Sequence, residues 1–303
     1  IVTGVQQGID LAARVLLDPG QVALVEEPGY LGLRGALRAH GACVRLIPVD
    51  RHGLRTDILA SMDARLLTVT PTHQFPTGAA LPLPRRLEIL QWAEQHDAFV
   101  LEDDYDGEYR HGGAPLPAMK SLDATGRVIY LGSLSRVLFP AARLGYLVMS
   151  PALRDAFLAA KSLADRGSPA IEQRALADLV ASGRFERLLL ANARRLLPRR
   201  EALLAAISRH LPFGAEVLGA DAGMHLSLDF PDIPSSLENG VLAAAAEVGV
   251  SVEGIARYCE QQPGRLQLLL GYAHLNPEDL TEALRRLASI LVPMLPPQSQ
   301  GRP

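Results

Sequence analysis

The sequence predicts an α/β fold: a mostly parallel central sheet with flanking helices, followed by a smaller C-terminal α+β part. Three observations predict it. Through the first half, short apolar runs rich in β-formers alternate with helical stretches, the pattern of a sheet covered on both faces. After Pro151 long helices take over, and the last third returns to a mixture of strands and helices. At 303 residues and 48% hydrophobic side chains, the chain can bury one large core or two modest ones.

The elements follow in order. "TGVQQGIDLAARVLL" is a Thr-Gly turn feeding a helix over Val5–Leu17. Strands are expected at Gln21–Pro28, Ala42–Val49, Arg65–Pro71, Ala98–Tyr105, Arg127–Ser133 and Arg143–Met149. Helices over Leu31–His40 and Pro84–Gln95 fall between them. Beyond Pro151, helical sequence runs to about Leu211, broken at "DRGSP" (Asp165–Pro169) and "ASGRF" (Ala181–Phe185). "AEVLGADAGMHLSLDF" then reads as strands, "SSLENGVLAAAAEVG" as a helix, "GRLQLLLGYAH" as a strand and "NPEDLTEALRRLASIL" as a capped final helix. The proline-rich end from Pro293 reads as loose.

Composition narrows the function classes. A formal charge of −3 gives no basic footprint for nucleic acid within this chain. No run approaches the roughly 18 apolar residues of a membrane span, and no signal peptide opens the chain. Cys43 and Cys259 lie far apart and suggest no disulfide framework, which points to a reducing cytoplasm. The opening "IVTGVQQGIDL" reads as the interior of a longer protein, so further N-terminal sequence is expected.

Chemistry concentrates in a few places. A helix entered from a Thr-Gly turn aims unpaired N–H groups and its positive dipole end at one spot, which suits a phosphate, though most helices begin in a similar way. In "LEDDYDGEY", Asp103 and Tyr105 sit two apart at a strand end and face one way. In an open α/β sheet, ligands lie beyond such carboxyl ends. Asp103 could hold a cationic ring nitrogen there and Tyr105 could donate to an oxyanion. Equally, Glu102, Asp103, Asp104, Asp106 and Glu108 could form a solvated acidic loop or a metal site, with His111 the only near histidine and no convincing ligand spacing. In "YLGSLSRVLFPAARLGYLV", Ser133, Ser135, Arg136 and Arg143 make either a phosphate cup or a polar turn with surface arginines.

Taken together, "TGVQQGIDLAARVLLDPG", "VALVEEPGY", "PTHQFPTG", "LEDDYDGEYR", "GSLSRVLFPAARLGYLV", "SLADRGSPAIEQRALADLVASGRFERLL" and "LLLGYAHL" resemble the fold-type-I pyridoxal-phosphate aminotransferases. The specific likeness is to the aminotransferase-like domain of MocR-type regulators of the GntR superfamily. It spans nearly the whole chain, in order. It implies a large cofactor-binding α/β domain over residues 1–165, then connecting helices and a smaller α+β domain over 166–303. A winged helix-turn-helix, a linker and the start of the aminotransferase domain would precede this chain.

The resemblance also implies roles. Gly4, Val5 and Gln6 would lie at the phosphate-binding helix start, and Tyr30 would stack on the cofactor ring. Asp103 would pair with the ring nitrogen and Tyr105 with the phenolic oxygen. Ser133, Ser135 and Arg143 would bind phosphate. His73 and Gln74 would line the pocket, His73 toward substrate and Gln74 toward cofactor. Arg257 is a candidate for a substrate carboxylate, with an ordinary surface arginine as the alternative. No metal is implied.

Two departures bear on mechanism. Val5 stands where the family usually carries a hydroxyl residue, so one phosphate ligand is lost. Arg136 stands where the Schiff-base lysine belongs. A guanidinium stays protonated at any ordinary pH and has no free amine to offer an aldehyde. Lysine occurs only at Lys120 and Lys161, at positions unlike the family's cofactor site. "LLLANARR" (Leu188–Arg195) also lacks the His/Arg-rich face usual in MocR-type sequences. Three readings follow. The first is a ligand-sensing, dimerising regulator domain holding pyridoxal 5'-phosphate noncovalently and responding to an amino acid or amine, with DNA contacted only through the absent N-terminal domain. The others are a free-standing aminotransferase and a ligand-free structural dimerisation module.

Overall fold

The computed structural model describes residues 1–112, 116–211 and 213–295. A helix, α1 (Val5–Leu16), leads into β1 (Val22–Glu27), α2 (Leu31–Ala39), β2 (Cys43–Asp50) and the short return β3 (Gly53–Leu54). There follow α3 (Thr56–Leu59), β4 (Leu66–Val69), α4 (Leu83–Gln95), β5 (Phe99–Asp104), α5 (Met119–Leu122), β6 (Val128–Ser133) and β7 (Gly145–Val148). The strands form a seven-stranded sheet in the order β3-β2-β1-β4-β5-β6-β7. It is parallel from β2 through β6 and antiparallel at both edges.

Alternation along each inner strand feeds two cores. Ala23, Val25, Leu66, Leu101, Ile129 and Leu131 face α1 and α2, where Ile9, Leu11, Leu33 and Leu37 meet them. Leu24, Leu67, Val69, Val100 and Val128 face the other way, onto Ile89, Trp92 and Met119. Burying each such leucine or isoleucine contributes about 1.5–3 kcal/mol, which is why these apolar runs settle as central strands.

The second half opens with α6 (Pro151–Asp165), α7 (Ala170–Ala181) and α8 (Arg184–His210). Arg166 and Gly183, both in the left-handed region, end one helix and begin another at the breaks expected from sequence. Next come β8 (Glu216–Leu218), β9 (His225–Phe230), α9 (Glu238–Glu247), β10 (Glu253–Gly254), β11 (Leu266–Gly271) and α10 (Pro277–Leu291). The strands pair antiparallel in the order β10-β11-β9-β8. Leu226, Leu228 and Phe230 pack against Leu203 and Ile207 of α8 and Leu284 and Leu287 of α10. Asn276 caps α10 by accepting from the Asp279 N–H at 2.8 Å. In contrast, α7 buries none of its residues. A short 3₁₀ turn spans Val292–Met294; the rest of the end read as loose, from residue 296, lies outside the described residues.

Hydrogen bonds fasten the two sheets together. Ser227 Oγ donates to the Thr77 carbonyl at 2.6 Å, Gly223 N–H to Tyr109 at 2.6 Å, and His111 N–H to Asp221 at 2.9 Å. Asn192 Nδ2, on α8, donates to the Val137 carbonyl at 3.1 Å. Among the described residues no helix is long and apolar enough to cross a membrane.

Candidate functional site

A cavity of about 280 Å³ opens beyond the carboxyl ends of β1, β4, β5 and β6. Its walls come from the start of α1 (Val5, Gln6), the β1–α2 turn (Tyr30), the stretch after β4 (Thr70, Phe75), the end of β5 (Asp103, Tyr105) and the β6–β7 turn (Ser133, Ser135, Arg136, Arg143). Most residues singled out in the sequence therefore converge.

One end is built for an anion. Gly4 precedes α1 at φ 95°, a conformation open to glycine, and a Cβ there would lie 3.2 Å from Arg143 Nη2. The guanidinium thus rests over the first turn of α1, where helix N–H groups point outward. Arg143 Nη2 also donates to the Thr3 carbonyl at 3.1 Å. Arg143 is itself left-handed at φ 46°, a strain of order 1–2 kcal/mol for a side-chain-bearing residue. Ser133 Oγ accepts from the Ser135 N–H at 3.3 Å, which folds the turn inward. Val5 offers only its backbone.

The opposite end is acidic. Asp103 is buried, and its Oδ1 has no hydrogen-bond partner. Burial, then the neighbouring Asp104, Glu26 and Asp106, push its carboxyl up to about 8. Beneath it, burial raises Glu26 to about 7 despite hydrogen bonds from Thr70 and Gln74. A cationic N–H entering the cavity would give Asp103 the partner it lacks. This orphaned carboxylate, with the anion cradle across the cavity, fits a phosphorylated pyridine ring.

Tyr105 supplies a hydroxyl. Its oxygen lies 3.1 Å from His73 Nδ1, which lies 2.9 Å from Asp106 Oδ2. A carboxylate only accepts, so Nδ1 donates toward Asp106 and the Tyr105 hydrogen is left for the cavity, while Nε2 lies 3.3 Å from the Gly219 carbonyl, which also only accepts. Burial first, then Asp106, hold the phenol well above its ordinary pKa, with Arg136 pulling the other way. Gly223 makes room for this chain: a Cβ there would come 2.3 Å from both Asp106 Oδ2 and His73 Nδ1. Tyr30 and Phe75 meet edge to face at 6.3 Å, and the Tyr30 hydroxyl donates to Gln6 Oε1 at 3.3 Å.

Arg136 is exposed and stands between this cavity and a second of about 580 Å³. The second shares Phe75, Ser135 and Arg136 with the first and adds Asp106, His225 and Glu253. Among the described residues the Arg136 guanidinium forms neither an ion pair nor a side-chain hydrogen bond. Neither lysine reaches either cavity: Lys120 pairs with Asp123 at 2.8 Å and Lys161 with Asp165.

Three expectations change on this geometry. Gln74 does not line the cavity. Its amide is spent behind the wall, donating to Glu26 Oε2, the Pro28 carbonyl at 2.9 Å and the Phe75 carbonyl at 2.7 Å, while its oxygen accepts from Thr77. His73 is likewise buried behind Tyr105 and positions it. Arg257 is the exposed residue of a 3₁₀ turn (Ile255–Tyr258), 3.7 Å from Glu253 and over the Tyr258 ring, and lines neither cavity. The solvated-loop reading of the acidic cluster also falls, because Glu102 is fully buried and accepts from the Met119 and Lys120 N–H groups at 2.8 Å.

Sequence reasoning missed Thr70, Phe75, Glu26 and His225. An acid closing the apolar run "VALVEE" was a signal for Glu26; nothing local marked His225. It opens β9, its ring centroid 4.5 Å from that of His73, and burial, His73 and Arg136 hold its pKa well below the ordinary value. His73, Asp106 and His225 offer ligand atoms within 4.8 Å of one another, a grouping that His111 does not join. His111 Nε2 instead lies 2.9 Å from the Gly223 carbonyl.

A doubly covered sheet with an anion cradle facing an orphaned carboxylate across its strand ends defines an aminotransferase-like chain. The chain belongs to the Aminotransferase class I and II family, whose sequence profile matches residues 1–287. It is 37% identical over 290 residues to the probable rhizopine catabolism regulatory protein MocR of Rhizobium meliloti, covering 95% of this chain and 58% of that one. It is 32% identical over 303 residues to 2-aminoadipate transaminase of Thermus thermophilus, covering 97% of this chain and 75% of the enzyme. Among solved structures it is similar to LysN, an α-aminoadipate aminotransferase of Thermus thermophilus complexed with N-(5'-phosphopyridoxyl)-L-leucine. There the TM-score is 0.87 at 31% identity, over 97% of this chain and 76% of that one. The fold is thus that of the fold-type-I aminotransferases, and the resemblance to MocR-type regulators holds across the chain. This chain spans about three fifths of the length of the regulators it matches, 58%, 59% and 60% of the first three.

Proposed function

We propose that this chain is the ligand-sensing and dimerisation domain of a MocR-type regulator, and that it holds pyridoxal 5'-phosphate without a covalent anchor. The observation that carries this reading is Arg136, a cation without a side-chain partner among the described residues, set in a cavity that is otherwise equipped for the cofactor. Ser133, Ser135, Arg143 and the first N–H groups of α1 bind the phosphate. Asp103 accepts from the ring nitrogen, Tyr105 donates to the phenolic oxygen, and Tyr30 covers the ring. When bound, the cofactor supplies an electron sink. Arg136 has no amine with which to attach it and cannot move a proton at pH 7, a loss of roughly 10²–10⁴ in rate for a shuttling base.

The effector is an amino acid or amine, and DNA contact belongs to a winged helix-turn-helix elsewhere in the full cytoplasmic protein. The split of the cores supports a division near 165/166, since two cores draw on residues up to Ala160 and the third gathers mainly residues from Leu196 onward. Similarity to 2-aminoadipate transaminase favours a second reading, a transaminase, and Arg136 weighs against it.

The test is spectroscopic. The purified chain mixed with pyridoxal 5'-phosphate is expected to show a chromophore that dialysis removes and that borohydride does not fix to protein. Arg136→Lys is expected to turn it into a borohydride-stable adduct. A stable adduct on the unaltered chain would show a lysine serving after all and would sink the noncovalent reading.

A further inference from the structure

Arg136 does more than mark a missing lysine, because its charge has a direction. Arg143, the other lining cation, is committed to the Thr3 carbonyl and the α1 end of the cavity. Arg136 lines both this cavity and the second, and among the described residues it forms no ion pair. Of the acids lining the second cavity, Asp106 pairs with His73 through Oδ2 while its buried Oδ1 has no partner, and Glu253 is engaged with the Tyr258 hydroxyl at 2.5 Å and with Arg257. Burial, then His73 and Arg136, hold the pKa of His225 beside them well below its ordinary value. A guanidinium carries five N–H donors in a planar fork and no acceptor.

Resting on the cofactor reading above, we infer that the site selects a phosphorylated pyridine whose 4-substituent is a carboxylate, and rejects one whose 4-substituent is an ammonium. By the family resemblance, Arg136 stands where the side chain that attaches at that substituent would be, and it lines the cavity that would hold the ring. A carboxylate there meets the fork with two parallel charge-assisted hydrogen bonds. An aldehyde oxygen accepts a single, weaker bond. An ammonium brings a second cation and more donors to a group that can accept nothing. The replacement of lysine by arginine thus exchanges covalent capture of an aldehyde for recognition of the oxidised, anionic form of the same ring.

Equilibrium dialysis or calorimetry with three probes tests this: 4-pyridoxic acid 5'-phosphate, pyridoxal 5'-phosphate and pyridoxamine 5'-phosphate. The expected order of affinity is as written, with the first about ten- to a hundredfold tighter than the last. Arg136→Gln, at an exposed position, is expected to bring the three within about threefold of one another. Asp103→Asn is expected to weaken all three together and preserve their order. Pyridoxamine 5'-phosphate binding as tightly as the carboxylate to the unaltered chain would overturn the inference and leave the cofactor reading standing. Failure of all three to bind a folded chain would overturn the cofactor reading, and the inference with it. An order that survives in Arg136→Gln would assign the selectivity to another residue and overturn the inference too.

Discussion

Asp103→Asn is the sharpest test of how the cavity is built. Without a ligand, the Asp103 carboxyl is raised from an ordinary 3.8 to about 8, burial being the main cause. An acid whose folded pKa is raised contributes stability that is fully present below its unfolded value and is lost as pH climbs through the folded one. The window is therefore pH 4 to 8, and the folded chain loses stability as pH rises across it. At about 1.4 kcal/mol per pH unit, ionising Asp103 at the top of that window costs of order 5–6 kcal/mol. Asparagine has nearly the same shape and no charge, so it escapes this cost. Urea unfolding of both proteins, ligand-free, at pH 5 and pH 8 reads the difference. At pH 8 the variant is expected to be the more stable by several kcal/mol, with the gap mostly closed at pH 5. Glu26, raised to about 7 and itself one of the charges that raise Asp103, titrates in both proteins and is eased in the variant, which adds to the gap at high pH. Saturating pyridoxal 5'-phosphate should remove the advantage of the variant, because a ring cation stabilises the carboxylate alone. A gap independent of pH would refute the argument that Asp103 is an uncompensated buried acid.

Two further outcomes are expected. Gly4→Val places a branched side chain at φ 95° and within 3.2 Å of Arg143, so dialysis should show ligand affinity falling by about tenfold or more while circular dichroism stays unchanged. Leu163 and Ile171, 84% and 83% exposed on α6 and α7, are expected to be covered when two copies associate. Leu163→Glu combined with Ile171→Glu should shift the mass measured by light scattering from dimer to monomer; an unchanged mass would place the interface elsewhere.

Much of the fold was legible because burial on both faces leaves a plain signature. Leu66–Val69 is buried at every position, and its apolar run reads as a central strand without any neighbour in view. Caps were legible for the same local reason, as at Asn276. The antiparallel edges were not. The β6–β7 connection holds no crossover helix, and a parallel return would need one, but an apolar strand carries no mark of its direction. The site divided in the same way. Asp103, Tyr105, Ser133 and Ser135 end strands, and strand ends point into the cleft by topology. Gln74 sits one residue from a wall residue, and only the folded chain shows its amide engaged by three carbonyl-type oxygens. Arg257 lies outside both cavities because chemistry of the right type does not fix where a turn aims it. His225 was invisible because its partner His73 is far away in sequence and only the meeting of two sheets brings the rings together.

That meeting has a mechanical consequence. The Tyr105 hydroxyl touches His73, whose ring lies against His225 at the head of β9, and rows of hydrogen bonds on either side stop the two sheets from sliding. Phe75, a wall residue of the cavity, also meets His225 edge to face at 5.9 Å, so the cavity wall reaches the head of β9 through both His73 and Phe75. The wall of a cavity in the first sheet is in this way continuous with the second, and through it with α8 and α10, which share its core.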